Sequence, residues 1–545
     1  MKKLFYIPVL ILTVASLIVS CDSLLDVDSE RYTFDEDYQM GSAHDSLYSL
    51  VGIISELQKL GDRYVLLGEL RGELMQTNDD ASLYLKQLND FAITKDNPYA
   101  SIKEYYSVIN NCNYVIQYVD TTARDKADKP NHRVMAAAKS IRAWTYLQLV
   151  LNYGSANYIT NPILSAKDVN KTYEVVDLTN LCDYLIEDLT PFKDVEPILM
   201  FRGMVLPINL LIGECHLWKA SVLDGQGQAS AAKQHYLAAA SAYYELIKEE
   251  EYTIPKNTRS YWEWDTKTNL PTTSMYIYWT NEFDPSFSTS AVGYLASSPD
   301  FGHPFTLDTL TYNRVLIPSE WAIKNWDNQL YFYSDFGITD GDLRYYGSYV
   351  NYGSMNDLGE IIRTPTIYKY IMMSSVEEQK IIMLYRYAQV YLHYAEAINR
   401  LGYSQMAYEA MKSGLNPITM AKSNIRAEVY DTTLKAIPNY LDFTQYIFTD
   451  NVGTKMRGLG NLNTDTTFYI IPKSVDSIQW VEDEIIAEYA LECAFEGSRF
   501  HDLMRVAIRR NDPAFLADKV ARKYTFNKEE IRSKLMDPAN WYLPK

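Results

Sequence analysis

The chain has 545 residues and a formal net charge of −18. That acidic balance leaves no basic footprint for a phosphate backbone, which excludes nucleic acid as a partner. Hydrophobic residues make up 47% and charged residues 22%, as in ordinary globular proteins, and the length allows two or three domains or one extended repeat domain.

The chain opens with Lys2 and Lys3, followed by an uncharged, almost wholly apolar run over 4–20. About 17 residues with Pro8 inside are marginal for a spanning helix and match a secretory leader better. The run ends in Ile18-Val19-Ser20-Cys21, which resembles a lipobox. Cys21 is therefore expected to be diacylated and to become the new N-terminus, with two or three acyl chains giving firm anchoring. An ordinary leader with a chance cysteine is the plainer alternative. Nothing later in the chain reaches 18 apolar residues without a charge, so no other span is expected. Residues 21–40 are polar and acidic and read as a tether.

Most of the remainder reads as helix. Residues 41–60 carry apolar side chains at three- and four-residue steps, with Gly61 as a stop. Residues 101–119 place Ile102, Tyr105, Tyr106, Ile109, Cys112 and Ile116 on one stripe, and 133–152 form a strong helix ending near Gly154. Residues 206–222 and 229–248 make a helical pair around a break at Gly225 and Gly227. Residues 380–401 form a further helix with Gly402 at its C′ position, followed by a helix at 404–414 and a long helical stretch over 480–510. Helix, short turn and helix in succession, with alanines where helices approach, is the logic of tetratricopeptide arrays; no regular repeat is present. Cys112, Cys182, Cys215 and Cys493 are widely spaced in apolar helical contexts, which reads as buried free thiols.

Residues 252–375 differ. They are rich in Pro, Gly, Asn, Asp, Ser and Thr, and aromatics reach roughly a quarter of 258–352. The alternation of Met275, Ile277 and Trp279 with Tyr276 and Tyr278 predicts a short strand. The segment reads as a loop-rich insertion carrying an aromatic platform on a helical scaffold at 41–250 and 376–510. The excess of tyrosine, 46 residues, suits such a surface and also suits helix interfaces. Asp335, Asp340 and Asp342 surround a loop without the twelve-residue calcium pattern, and Asp340 and Asp342 read as turn formers; a structural calcium ion is the alternative.

The segment Glu488–Arg505, EYALECAFEGSRFHDLMR, resembles the C-terminal signature of the SusD-like (RagB-like) nutrient-binding lipoproteins. Glu488, Glu492, Glu496, Gly497, Arg499, Asp502, Leu503 and Arg505 match it, while Tyr489-Ala490 replaces the usual Arg-Arg and Val506-Ala507 the usual Trp-Gly. Three glutamates at four-residue spacing would repel one another, so they call for basic partners, with Arg499, Arg505 and Arg386 as candidates. Further resemblances fall in family order: CDSLLDVDS at the start, 70–75, 105–119 with Asn110 and Asn113, 142–154, 317–346 and 384–402 with Gln389 where Glu is common.

The resemblance implies a mostly α-helical fold of degenerate tetratricopeptide-like hairpins with a loop-rich, aromatic-rich insertion and short strands. It implies an outer-membrane location, a TonB-dependent SusC-like transporter as partner, a glycan or in some members a peptide as cargo, and neither enzymatic activity nor a cofactor. By position it points to Asn78, Asp79, Tyr84, Tyr99, Trp262, Trp279, Tyr294, Trp321 and Trp326 as ligand contacts. A glycoside hydrolase on a helical fold is the enzymatic alternative. It needs two carboxylates about the scissile bond, and the chain has no HExxH, GxSxG, Walker-type or GxGxxG motif. His501-Asp502 is no dyad, because helical neighbours do not face each other. A pure protein-binding scaffold is the third reading.

Overall fold

The computed structural model describes residues 43–122, 129–249, 264–265, 270–271, 291–297, 307–333, 337–355, 358–370, 380–459 and 467–545. Cys21, the acidic tether, Trp262, Trp279 and the strand expected around 275–279 lie outside them.

Helices dominate, as expected. α1 (Ala43–Gln58) is followed by α2 (Gly61–Glu69), so Gly61 opens a second helix instead of ending the region. β1 (Met75–Thr77) leads to α3 (Leu83–Asn89), then α4 (Lys103–Tyr118) and α5 (Pro130–Tyr153) pack as a hairpin. α5 ends at Gly154 in the left-handed region (φ 77°), where a residue without Cβ is unstrained. A ribbon of β2 (Ala156–Tyr158) and β3 (Glu174–Val176) precedes α6 (Leu178–Leu189), which packs on α7 (Ile208–Gly225); α7 pairs in turn with α8 (Ala229–Ile247).

The 380–401 segment is not one helix. Its first seven residues are a strand, β10 (Lys380–Arg386), antiparallel to β4 (Ala291–Ser297). An apolar run of this length fits strand or buried helix equally, and pairing with a segment some way back in the chain decides it. The helical remainder, α11 (Tyr387–Arg400), is buried along its length except near Arg400, packs on α8 and forms a hairpin with α12 (Ser404–Lys412). The 480–510 stretch is also divided, into α13 (Ser477–Glu492) and α14 (Arg499–Arg510). Phe495 (φ 69°) and Gly497 (φ 101°) turn the chain between them. α15 (Pro513–Val520) and α16 (Lys528–Leu535) close the fold.

The insertion contributes short elements: α9 (Leu307–Tyr312), β5 (Leu316–Pro318), α10 (Glu320–Asp327), the ribbon β6 (Leu330–Tyr333) and β7 (Gly337–Asp340), and a hairpin of β8 (Tyr349–Met355) and β9 (Ile361–Ile367).

Buried charge pins these parts together. Arg344, just before β8, bonds Glu488 (2.5 Å), Glu492 (3.0 Å) and Asp342 (2.6 Å). Arg386 bonds Glu492 (3.0 Å) and Glu496 (2.7 Å), and Lys369 and Arg457 complete the cluster. Burial alone would raise the Glu492 carboxyl, but Arg457, Arg386 and Arg344 outweigh it and hold it below the usual carboxylate range. Arg386 is thus the partner expected, whereas Arg499 and Arg505 are not. Arg499 reaches across the chain to Glu73 (Nε–Oε1 3.0 Å), and Arg505 binds Glu396 (2.8 Å) and Asp502 (2.9 Å). Asp342 is likewise no solvated turn former; it is buried, paired with Arg344, and accepts the Tyr331 hydroxyl. His501 faces Arg71 (3.4 Å) and not Asp502. All four cysteines after Cys21 are buried and free.

Candidate functional site

The site starts at a short strand pairing between distant parts of the chain. β1 runs antiparallel to β5, with Met75 opposite Pro318 and Thr77 opposite Leu316. The pairing continues at both ends: the Asn78 amide donates to the Val315 carbonyl (3.1 Å), and the Ser319 amide and hydroxyl donate to Leu74 and Glu73 (2.8 and 2.5 Å). This joins the loop after the first helices to the middle of the insertion, along a line of about 10–15 Å at some 3.3 Å per residue.

Beyond β1 the chain turns on Asn78, whose side-chain oxygen accepts the Asp80 amide (3.1 Å), and Ser82 caps α3 through the Leu85 amide. Asp79 and Asp80 are exposed, and Lys86 donates to the Asp79 carbonyl (2.6 Å). Buried Asn97 then ties two aromatic positions together. Its amide donates to the Tyr84 carbonyl (2.9 Å) and to Gln87 (2.9 Å), and its oxygen accepts the Tyr99 amide (3.0 Å). Tyr84 is exposed and Tyr99 half-buried; burial, then the Asp62 charge, pushes the Tyr99 hydroxyl up.

On the β5 side, Ser319 caps α10 through the Ala322 amide and sets Trp321 at its start, half-buried beneath the Arg522 guanidinium (5.6 Å). Three residues absent from the expected contacts appear here. Tyr312 ends α9 and is 71% exposed; Arg314 follows it; Tyr352 on β8 is 53% exposed under the Arg314 guanidinium, 4.4 Å from the ring centre. Tyr312 and Tyr352 belong to the aromatic-rich stretch legible in sequence, but only pairing shows which rings face outward.

The expected contacts therefore divide. Asn78, Asp79, Tyr84 and Trp321 come to the β1–β5 region, and Tyr99 is linked to it through Asn97. Tyr294 does not join them: it lies on β4 with its amide on the Gly203 carbonyl (2.7 Å), beside a separate pocket of about 100 Å³ that Arg133, Arg202, Gly203 and Glu249 help to line. Trp326 is a core residue. It is 1% exposed, packs on Tyr349 and Phe495 (5.7 and 5.9 Å between ring centres), and has its indole N–H on the Leu491 carbonyl (3.4 Å). A ring held there offers no face to a ligand; it anchors the base of the β8–β9 hairpin instead. Among the described residues no group of three or more His, Cys, Asp or Glu side chains could hold a metal ion, and no helix is long and apolar enough to cross a membrane.

Residues 339–544 match the profile of the SusD family. A SusD-like protein of Formosa agariphila is 23% identical over 444 residues, covering 75% of this chain and 81% of the relative. The fold is shared with a SusD homolog from Bacteroides thetaiotaomicron (TM-score 0.60, 14% identity, 93% of this chain and 95% of that one). It is shared as well with NanU of B. fragilis (TM-score 0.57, 15% identity, 89% and 94%). The C-terminal part of the chain is therefore similar to the SusD family, and the fold is shared with SusD homologs. The matched SusD region contains Arg344, Arg386 and the three glutamates they bind, so the family signature is here a buried ion network that sets the β8–β9 hairpin onto α13. Of the surface described above, the stretches from Asn78 to Tyr99 and from Tyr312 to Trp321 fall outside that region, and Tyr352 lies inside it.

Proposed function

We propose that this protein is a cell-surface, lipid-anchored nutrient-binding protein that captures a glycan and delivers it to a TonB-dependent SusC-like outer-membrane transporter. Lipidation at Cys21 supplies the anchor. The observation that supports the reading is the β1–β5 pairing, which brings the turn running from Asn78 to exposed Tyr84 beside the Tyr312–Trp321 segment, with exposed Tyr352 against Arg314. Sugar rings have apolar faces and polar edges, so aromatic faces beside amide, carboxylate and guanidinium groups suit them. Binding without chemistry is the simpler assignment, since the family is one of binding proteins.

The test is calorimetry of the purified chain against plant, host and microbial polysaccharides, with peptides alongside. A saturable glycan isotherm that weakens about tenfold or more in the Tyr312→Ala/Tyr352→Ala double variant supports the assignment. Binding of peptides alone sinks the glycan, and sustained release of reducing ends sinks the non-enzymatic role.

A further inference from the structure

We infer that Arg314 and Tyr352 form a subsite for an acidic sugar, one bearing a carboxylate or sulfate; this rests on the glycan-binding reading above and narrows its ligand class.

The first observation is the backbone at Arg314. The Val315 amide donates to the Leu310 carbonyl (3.1 Å) and the Arg314 amide to the Thr311 carbonyl (3.0 Å). This is the bond pair of a Schellman motif closing α9, and it puts Arg314 at C′ with φ 59°. Glycine is the ordinary occupant, because a Cβ is strained in that region. Gly154 after α5 and Gly402 beyond α11 follow the rule, whereas α3 closes on Phe91 (φ 55°), a buried side chain, and α14 on Asn511 (φ 48°), a residue that tolerates the region. An arginine is therefore kept where local preference asks for glycine. Residues held against their backbone preference gather at ligand-binding positions.

The second observation is what the guanidinium does there. It lies over the exposed face of Tyr352, and among the described residues no carboxylate stands within ion-pair distance of it. Most arginines of this fold are engaged in ion pairs, several of them fully buried. A stacked guanidinium is preorganised: its plane is fixed by the ring while its edge N–H groups remain free to meet two oxygens side by side. Carboxylate and sulfate present that geometry; a neutral hydroxyl does not. Tyr352 holds the guanidinium in place, and exposed Tyr312, two residues before Arg314, supplies a ring for the apolar sugar face.

The chain's charge of −18 repels a polyanion at long range. At physiological salt the screening length is about 8 Å, so contact at this subsite decides the outcome. Asp79 and Asp80, exposed on the neighbouring loop, sharpen the requirement for a matched cation at the point of contact.

The experiment uses the full chain purified in detergent and titrates matched probes. Hexagalacturonate is compared with its fully methyl-esterified form, and chondroitin sulfate with laminarihexaose and xylohexaose. Wild type, Arg314→Gln and Arg314→Gly are measured together. The expected result is binding of an acidic probe that weakens about tenfold or more in both variants and weakens with added salt, while any binding of neutral probes changes less than about twofold. Arg314→Gly relieves the backbone, so its melting temperature should equal or exceed that of wild type, which separates lost recognition from lost folding. Neutral probes bound as well as acidic ones, or acidic binding unchanged in Arg314→Gly, overturns the subsite and leaves the glycan-binding role standing. No binding to any probe overturns both.

Discussion

His393 shows how the interior sets the charge of a single group. It sits on α11 with Nδ1 2.6 Å from Glu214 and Nε2 3.6 Å from Asp502. Burial would push the imidazole down, but the Glu214 charge, the hydrogen bond that Nδ1 donates to it, and the nearby Asp502 carboxylate outweigh it and raise it to about 9. Its unfolded value is about 6.5, so its contribution to stability is full below that pH and lost as pH rises through about 9. His393→Gln should therefore destabilise most at pH 6 and least at pH 9.5, the difference being on the order of 3 kcal/mol. Urea unfolding of both proteins at the two pH values checks this; a pH-independent difference would remove the charged imidazole from the account. The wild-type profile alone is uninformative, because buried Lys523, lowered to about 7 by desolvation, has the opposite slope over the same range. Arg344 is the sharper case. Replacing it with Met leaves Asp342, Glu488 and Glu492 short of a buried cation, and should cost about 3–5 kcal/mol in denaturant titration.

Elements of this fold meet closely where glycines allow it. On α2, a Cβ at Gly68 would collide with the Gly497 carbonyl, so Gly68→Ala must push α2 away from the α13–α14 turn. A loss of about 1–3 kcal/mol is expected. Gly52, inside α1 with nothing near its Cβ position, should give the reverse: Gly52→Ala gains about 0.5–1 kcal/mol. Thermal melts of the pair test whether backbone approach, and not helix propensity, governs Gly68. The same contrast explains what was legible in sequence. Helical periodicity is a local property, so 103–118, 130–153 and 229–247 are found within a few residues of their observed ends. The strand at 380–386 and the break at 493–498 are settled by contacts with β4 and α2, which no window on the chain contains.

At the scale of the whole molecule, the proposed export and anchoring rest on the first 21 residues and not on the fold. Cys21→Ser should move the protein from the membrane to the soluble fraction after lysis, since no helix of the described residues is long and apolar enough to span a bilayer. Retention in membranes by the variant would mean that the anchor lies elsewhere, for instance in a partner.

By itself the sequence determined the helical class, the lipobox-like start, the family resemblance and the need of three stacked glutamates for buried cations. Each follows from spacing along a few turns of chain. Beyond Arg386, tertiary structure decided which cations answer: Arg344, 144 residues from Glu488, joins the cluster, while Arg499 is drawn off to Glu73, 426 residues away. It also decided that Trp326 is core, that Tyr294 stands apart, and that Arg314 meets Tyr352. Whether a ring or a charge faces solvent depends on what the rest of the chain lays over it. That is a property of three-dimensional packing, and a linear pattern of residues does not carry it.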